Sequence, residues 1–506
     1  MNYPAMTVPK KLYSGTLVLF IITLLTRCVL ITYYNNNMGG IETNVVYGIQ
    51  RILLGQPLYQ DPAAGTYAVI QYTPLHYYLA AAVAKLVGVE ALNVKGIYTL
   101  CRILALEFNL LSVAVVAWII SIWGFTRRRS LLFATPVLII LTTHYFLRGD
   151  SLHLLFFASA FWAFIRYSRK QQLLNLMMAA LLSGACVMSK QSGILVCGII
   201  GLSLLMIHRR YWHLLIYSGV TFLCAAIIAW ICIGGAWQEM YQNAYLGLKN
   251  GTDLSFLYRI FVSQFFIELV PCYFIGGIVV YTAVKKISDP VFRIVAVGIG
   301  ISWLFAVITG LKIGSSNNYF MEFLVMLIIA LPFLLESESA KQVLFSLFRY
   351  PVTIYRFACF ALFVLVTSKT MGLVTAVYID KSIENNKEQY TRDKALYDYF
   401  IHDMHLQHGE KILFTERNFL DNLFIDYAIM PTKDVVSETY LASATTYDYT
   451  AFSAGLNNGL VKYMVADAQK KDFNRWHEQL PFLLIDEHKF KWIEDRYGYA
   501  IYSFTP

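Results

Sequence analysis

The chain has 506 residues, of which 57% are hydrophobic and only 14% are charged, and its formal net charge is +9. A water-soluble protein of this length would carry far more charge, so the composition excludes one and indicates a protein embedded largely in lipid. The basic residues lie at the ends of apolar segments and form no continuous stripe, which argues against nucleic-acid binding. The eight cysteines lie in apolar segments without metal-ligand spacing, so they predict no metal site.

Eleven apolar segments predict membrane-spanning helices. If the N-terminus is cytoplasmic, every Lys/Arg cluster between these segments also falls on the cytoplasmic side, as the positive-inside bias requires. An odd number of spans then places the C-terminus outside a plasma (inner) membrane. The predicted spans are Leu17–Tyr34, Ile97–Trp123, Leu131–Phe146, Ser151–Tyr167, Leu173–Met188, Ile194–Ile207, Leu214–Ile233, Phe265–Val284, Val291–Thr309, Tyr319–Leu335 and Val352–Val377.

The first outer loop, residues 35–96, predicts two helices that lie at the membrane surface. One has its apolar residues on a single face and ends at Gly55, and the other, Leu75–Val87, follows Thr73 and Pro74 and stops at Gly88. With thirteen residues, the second helix is too short to cross a bilayer. A second outer loop covers residues 236–264. These segments complete a predicted membrane domain of residues 1–379.

Residues 380–506 have the composition of a soluble protein and predict a small extracytoplasmic α/β domain. Its predicted elements are a helix over 381–408, a strand over 411–415, a helix over 418–428, a strand near Val435, a strand at Tyr463–Ala466, a helix around Phe473–Gln479 and strands from Phe482 onward.

Glu42 directly follows the first span, in the sequence NNNMGGIETN. A carboxylate held at the outer membrane surface can act as a general base that takes the proton of an acceptor hydroxyl. The alternative is a charge at a helix N-terminus that faces water.

Further candidates lie at the outer ends of later spans. Arg148, Asp150 and His153 occur in the turn LRGDSLH, where an arginine either pairs with the aspartate or contacts a phosphate. Lys190 and Lys312 are outer lysines that break the positive-inside bias, and either snorkelling or an anion site explains them. Amide, hydroxyl and acidic neighbours accompany them at Gln191, Asn317, Asn318, Tyr319 and Glu322.

Five segments resemble, in order and spacing, the GT-C glycosyltransferases that use polyprenyl-phosphate sugars. That branch includes protein O-mannosyltransferases and the lipid A aminoarabinose transferase. The resemblance covers most of residues 15–340. The segments are IETNVVYGIQRILLGQPLYQDP, QYTPLHYYLAAAVAKLVG, LRGDSLHLLFF, MSKQSGILV and NYFMEF.

The resemblance implies that Glu42 occupies the catalytic acidic position. The family usually has Asp there, often as a pair, whereas here Thr43 follows a single Glu, so no metal bridging two carboxylates is expected. The lipid A branch has a Lys where this chain has Gln71, Tyr72 and Thr73, so phosphate contact is expected from Lys190, Lys312 and Arg148. The expected substrate pocket comprises Asp150, His153, Tyr72, His76, Gln191, Asn317, Asn318, Tyr319 and Glu322.

These expectations describe an inverting transferase that moves a sugar from a polyprenyl phosphate to a glycan, lipid or protein acceptor, because a retaining mechanism needs a second carboxylate close by. Asp61 is the nearest candidate and is predicted to be structural. Membrane lipids are the other expected partners. No cofactor is assigned, and a divalent cation is left open. The alternatives are a transporter of lipid-linked glycans and a ligase or polymerase that uses diphosphate-linked glycans.

Overall fold

The structure is a computed structural model. It describes residues 10–506 except 33–41, 141–147, 250, 259–265, 286–288, 314, 316, 337–350, 379–381, 416–418, 470–476 and 478–479. The chain folds into two compact units. The first unit comprises Met1–Leu30, Ile103–Ala229 and Asp253–Asp380, and the second comprises Ile31–Arg102, Trp230–Thr252 and Lys381–Pro506. The predicted boundary at residue 380 stays a prediction.

Apolar helices make up most of the first unit, and the bounds of most of them lie near those of the predicted spans. The predicted span Leu131–Phe146 is an exception, because two short helices, Arg127–Ala134 and Pro136–Ile140, cover its first part and residues 141–147 lie outside the described residues. The helices of this unit are α1 Lys10–Thr32, α4 Val94–Ser121 (from Ile103 onward), α5 Arg127–Ala134, α6 Pro136–Ile140, α7 Asp150–Lys170, α8 Leu173–Ser189, α9 Ile194–Ser203 with its π-helical continuation Leu204–His208, α10 Tyr211–Ile233 (to Ala229), α12 Leu254–Tyr258, α13 Phe266–Lys285, α14 Pro290–Gly310, α15 Met321–Glu336 and α16 Pro351–Tyr378.

Five stretches in the described part of the chain are long and apolar enough to cross a membrane. They are Ser14–Ile31, Val94–Ser121, Gln191–His208, Tyr211–Ile233 and Pro290–Gly310, and shorter apolar helices accompany them. The chain is therefore a polytopic helical membrane protein, as predicted. The count of eleven spans stays a prediction.

Close helix contacts in the first unit depend on small residues and on one tight turn. Helices α7 and α8 are joined through Gln171, which has a left-handed backbone with φ of 53°. A Cβ at Gly184 of α8 would come within 2.8 Å of the Thr221 carbonyl oxygen on α10, so only glycine allows the two backbones this distance. Helices α1 and α16 share a buried hydroxyl contact, 3.1 Å long, between Thr23 and Thr370.

The second unit contains both predicted helices of the first outer loop, α2 Glu42–Leu53 and α3 Leu75–Leu86. Each is followed by a glycine in the left-handed region, Gly55 and Gly88, both with φ of +74°, which ends the helix where the sequence predicts. The two helices pack so closely that a Cβ at Gly48 would approach the Tyr77 ring to 2.7 Å. The placement of these helices at a membrane surface stays a prediction.

A small four-stranded sheet in the C-terminal segment of the second unit confirms a predicted feature of the fold. Its order is β1-β2-β4-β3, with β1 parallel to β2 and the other pairs antiparallel. Successive residues of β2 and β4 alternate between two buried clusters, one on each face of the sheet. The strands are β1 Ile412–Phe414, β2 Tyr463–Asp467, β3 Phe490–Arg496 and β4 Tyr499–Phe504.

The helices of this segment correct two predictions. Val435 lies in a helix, α19 Lys433–Ala442, and not in a strand. The helix predicted over 418–428 is reduced to a single turn, α18 Leu420–Leu423. Most of the helix predicted around 473–479 lies outside the described residues. Further α-helices described in this unit are the short α11 Trp237–Met240, then α17 Ser382–Asp398, which a π-helical turn Tyr399–Asp403 continues, and α20 Thr450–Leu456.

Candidate active site

Glu42 is the first residue of α2, and its side chain is completely buried. A carboxylate at this end of a helix is favoured by the partial positive charge of the unpaired N–H groups. Arg102 of α4 lies opposite, with Nη2 3.4 Å from Glu42 Oε2, and its side chain is also buried. The alternative prediction for Glu42, a charge facing water, is therefore wrong.

Aromatic residues hold Arg102 in position. Its guanidinium lies 5.2 Å from the centre of the Tyr98 ring, one helical turn earlier on α4. The Tyr98 ring in turn contacts the buried ring of Phe419, with 5.8 Å between centroids. Cation and ring attract each other more strongly where water is excluded. The acid–arginine pair, defined as Glu42 and Arg102, therefore sits in a water-poor pocket where its electrostatic interactions are strong.

Polar contacts with the C-terminal segment fix α2 along its length. Gln50 Nε2 donates to the carbonyl oxygens of Ala91 and Asn422, at 2.8 and 2.9 Å. Asn422 Nδ2 donates to the Thr43 carbonyl oxygen and to Gln50 Oε1, at 3.0 and 3.1 Å. Asn44 Nδ2 donates to a carboxylate oxygen of Asp434 on α19, at 3.0 Å. Two turns of α2 are thus bonded to α18 and α19, and these bonds orient the helix that begins at Glu42.

A second set of charged residues, the Asp150 cluster, lies in the first unit and comprises Arg148, Asp150, His153, Lys190 and Glu322. Asp150 begins α7 and is fully buried. Its carboxylate forms ion pairs with Lys190 Nζ and with Arg148 Nε, the latter at 3.3 Å. The Arg148–Asp150 ion pair that the sequence suggested is therefore present. Because two cations share one carboxylate, this part of the cluster has a net positive charge.

His153 connects the cluster to α15 and α8. Its Nε2 lies 2.7 Å from Glu322 Oε1, and its Nδ1 lies 3.3 Å from Cys186 Sγ. All three side chains are buried. The imidazole is held between a carboxylate and a thiol, so its orientation is fixed from both sides.

The other predicted pocket residues lie in several segments. Tyr72 and His76 are buried near the start of α3. The Tyr59 hydroxyl donates to the Tyr72 carbonyl oxygen at 2.7 Å, and burial raises the pKa of Tyr59 well above its usual range, so this donor stays neutral. Gln191 is half-buried in the turn after Lys190.

Lys312 is half-buried, in a turn after α14 that is held by a bond of 2.9 Å from Asp253 N–H to the Leu311 carbonyl oxygen. Asn318 is buried and Tyr319 is half-buried in the turn before α15. The side chain of Asn317 lies outside the described residues. Asp61 is exposed and accepts the N–H of Ala63 at 2.9 Å, which is a turn contact.

The sequence alone did not identify Arg102, Tyr98 or Cys186 as parts of the site. Arg102 had one available signal, since an arginine inside an apolar helix calls for a buried partner. Tyr98 and Cys186 had none, because both residue types are ordinary in apolar helices. Their roles depend on contacts between distant parts of the chain.

Comparisons with solved structures show the fold. The crystal structure of ArnT from Cupriavidus metallidurans bound to undecaprenyl phosphate matches with a TM-score of 0.58 and 11% identity, over 97% of this chain and 98% of that one. The same protein in the apo state gives 0.56 and 12%, over the same shares. A cryo-EM structure of the arabinofuranosyltransferase AftD from Mycobacteria gives 0.51 and 11%, over 100% of this chain and 41% of that one.

No protein-family model and no curated protein matches the chain. The structural matches extend along nearly its whole length, and the matched proteins have the GT-C fold. The chain therefore has the GT-C glycosyltransferase fold, and the resemblance predicted from its ordered motifs is confirmed at the level of the fold.

Proposed function

We propose that the chain is an inverting glycosyltransferase that moves a sugar from a polyprenyl-phosphate donor to an acceptor hydroxyl outside the cytoplasm. The observation that carries the proposal is the buried ion pair of Glu42 and Arg102 at the start of α2, in a chain with the GT-C fold. A buried charge pair is costly to maintain, and it is expected where ionised groups are needed for a reaction.

In this reaction Glu42 is the general base. The acceptor oxygen attacks the anomeric carbon while the bond from that carbon to the phosphate oxygen breaks, and the acceptor proton passes to Glu42. Arg102 keeps the carboxylate ionised and oriented before transfer. Direct displacement from the face opposite the phosphate inverts the anomeric carbon. Asp61, the candidate for a second carboxylate, is engaged in a turn, which supports a single-step mechanism.

The Asp150 cluster is proposed to bind the donor phosphate. Asp150 holds Lys190 and Arg148 next to each other, so their positive charges act together on an anion. A phosphodiester gains negative charge as the sugar departs, and cations fixed in advance stabilise the transition state more than the ground state. Lys312 is proposed as a further cation at this site. Tyr72, His76, Gln191, Asn318, Tyr319 and the His153–Glu322 pair are proposed to contact the substrates.

The reaction is proposed to take place on the outer side of the membrane. The active site and the C-terminal domain face the outside of a plasma (inner) membrane, and the N-terminus is cytoplasmic. ArnT, which matches the chain in structure, binds undecaprenyl phosphate. A related isoprenoid donor fits this chain, since its tail would lie in the lipid and its phosphate at the membrane surface.

The test for the base compares Glu42→Gln with Glu90→Gln, an exposed glutamate of the same outer loop. We expect Glu42→Gln to lower the rate of transfer from a polyprenyl-phosphate sugar by about 100-fold or more, because general-base catalysis contributes about 10²–10⁴. Glu90→Gln keeps the wild-type rate. Transfer by Glu42→Gln at the wild-type rate would remove Glu42 from the mechanism.

The test for the donor site compares Lys190→Ala with Lys170→Ala, which changes an exposed lysine at the C-terminal end of α7. We expect Lys190→Ala to raise the dissociation constant for polyprenyl phosphate by about tenfold or more, because a hydrogen bond between charged groups contributes about 1.5–3 kcal/mol. Lys170→Ala leaves it unchanged. Equal affinity in both variants, with both proteins folded, would contradict the phosphate assignment.

A further inference from the structure

The C-terminal segment of the second unit contains an open cavity of about 530 Å³, apart from every residue assigned above. This volume lies within the range of small-molecule binding sites, which is about 300–1,000 Å³. Four aromatic side chains line it, together with one carboxylate and three hydroxyl side chains. The aromatic residues are Tyr440, Tyr447, Tyr449 and Phe482.

The aromatic wall is held rigidly. The rings of Tyr449 and Phe482 stack with centroids 4.4 Å apart and planes within 18°, and Tyr440 meets Phe482 edge-on at 5.1 Å. The Tyr447 hydroxyl donates to the carbonyl oxygen of Gln242 at 2.6 Å. The rings therefore present a surface that needs little ordering when a ligand binds, which favours affinity.

The hydroxyl of Tyr449 is the second observation that indicates a ligand. Its oxygen is buried and has no hydrogen-bond partner within the described part of the chain. Leaving a buried hydroxyl without a partner is unfavourable, and native proteins rarely do so without a reason. A polar group of a ligand in the cavity would satisfy it.

The charge of the wall narrows the ligand class. Asp448 is its one ionised residue among those described, and its Oδ1 accepts both the N–H and the hydroxyl of Thr450. No basic side chain lines the described wall, so the cavity offers no counter-charge for a phosphate or a carboxylate. A sugar ring suits such a wall, since its C–H face packs on aromatic rings while its hydroxyl groups bond to hydroxyls and carboxylates.

We propose that this cavity binds a neutral saccharide unit of the acceptor. That the saccharide belongs to the acceptor rests on the proposed transferase function, whereas saccharide binding by the cavity does not. A donor headgroup is a poorer fit, because its phosphate requires cations that the cavity lacks. The cavity would thus recognise the glycan that receives the sugar and would select among acceptors.

The test measures saturation-transfer NMR on the full-length protein in nanodiscs, with maltotriose, cellotriose, mannotriose and chitotriose as neutral probes and an oligomer of glucuronic acid as the anionic one. We expect transfer to at least one neutral probe and weaker binding of the anionic probe. Tyr449→Phe, which removes only the hydroxyl, should raise the dissociation constant about fivefold to tenfold. Tyr440→Ala should raise it further, and thermal unfolding verifies that each variant is folded.

Two controls make the result specific. Tyr497→Phe changes an exposed tyrosine of the same segment that does not line the cavity, and it should bind like the wild type. Glu42→Gln should also bind saccharide like the wild type. A wild-type protein that binds saccharide but shows no transfer activity would count against the transferase proposal alone. Absence of binding to every neutral probe, or binding unchanged by both cavity variants, would overturn the cavity proposal. An active enzyme without such binding leaves the transferase proposal standing.

Discussion

Replacing Gln50 by leucine tests whether the C-terminal segment positions the catalytic helix. Gln50 is fully buried and takes part in three hydrogen bonds, with lengths of 2.8, 2.9 and 3.1 Å. Leucine has a similar volume and can make none of them. At about 1 kcal/mol for each bond, the free energy of unfolding should fall by about 3 kcal/mol. The variant loses the hydrogen bonds between α2 and Asn422, so the helix that begins at Glu42 is held less firmly.

The expected kinetic effect is a fall in kcat of about 10- to 100-fold, since a displacement of about 1 Å at a reacting group can cost about 100-fold. The KM for the donor should change little, because the proposed phosphate ligands belong to the other unit. The assay is transfer from a polyprenyl-phosphate sugar by the full-length protein, at a temperature at which thermal unfolding shows every variant to be folded.

A control with matched stability separates positioning from general destabilisation. Ile501 is a fully buried residue of β4, and Ile501→Ala should also cost about 3 kcal/mol. Ile501 takes no part in the hydrogen bonds to α2 described above, so the kcat of Ile501→Ala should equal that of the wild type. If Gln50→Leu is destabilised but keeps its wild-type kcat, the hydrogen bonds to Asn422 stabilise the fold without positioning Glu42.

Three further predictions concern buried charges. Lys433→Met removes the cation that pairs with the buried carboxylate of Asp421, and burial raises the pKa of this carboxylate even though Lys433 lowers it. The variant should therefore be less stable than the wild type by about 3–5 kcal/mol at pH 8 and by less at pH 5, as measured by thermal unfolding. Burial raises the pKa of the Asp393 carboxyl to about 6, so its neutral form stabilises the folded protein below about pH 4, and this stabilisation is lost as the pH rises through 6. Asp393→Asn should lose this pH dependence, and its free energy of unfolding at pH 8 should exceed that of the wild type by up to about 3 kcal/mol. Parallel curves of stability against pH for the two proteins would contradict this prediction. Arg102→Met should lower the free energy of unfolding by about 3–5 kcal/mol, and the double variant with Glu42→Gln should recover most of this loss. If the losses of the two single variants simply add in this double-mutant cycle, the two residues do not interact.

Patterns within single elements could be predicted from the sequence. The helices of the first outer loop end before Gly55 and Gly88, because each glycine adopts a left-handed backbone that stops a helix. This signal is local, so it can be predicted without knowing any contact to a distant part of the chain. Long apolar segments likewise specify helices wherever they occur. The strand predicted near Val435 was wrong for the opposite reason. Two adjacent β-branched residues favour a strand locally, yet Val435 and Val436 pack their helix into a core that the sheet provides.

The candidate site was predictable only in part, because ion pairs join residues far apart in sequence. The sequence identified Asp150 and Lys190 separately, forty positions apart, and the structure brings them to a single ion pair. It identified Glu42 but not its partner, sixty positions later. A residue type indicates that a partner is needed, and only the fold decides which residue it is.

The acid–arginine pair explains how one carboxylate can serve where the family that the chain resembles often has two. A buried carboxylate needs a counter-charge, and a guanidinium supplies one that stays protonated at any physiological pH. In the proposed reaction Glu42 is neutralised as it takes the acceptor proton, so Arg102 is left with an uncompensated positive charge. This happens as the departing phosphate gains its second negative charge. In the water-poor pocket of the pair, the uncompensated charge on Arg102 favours loss of the proton from Glu42, so the same arginine returns the base to its ionised form after each transfer.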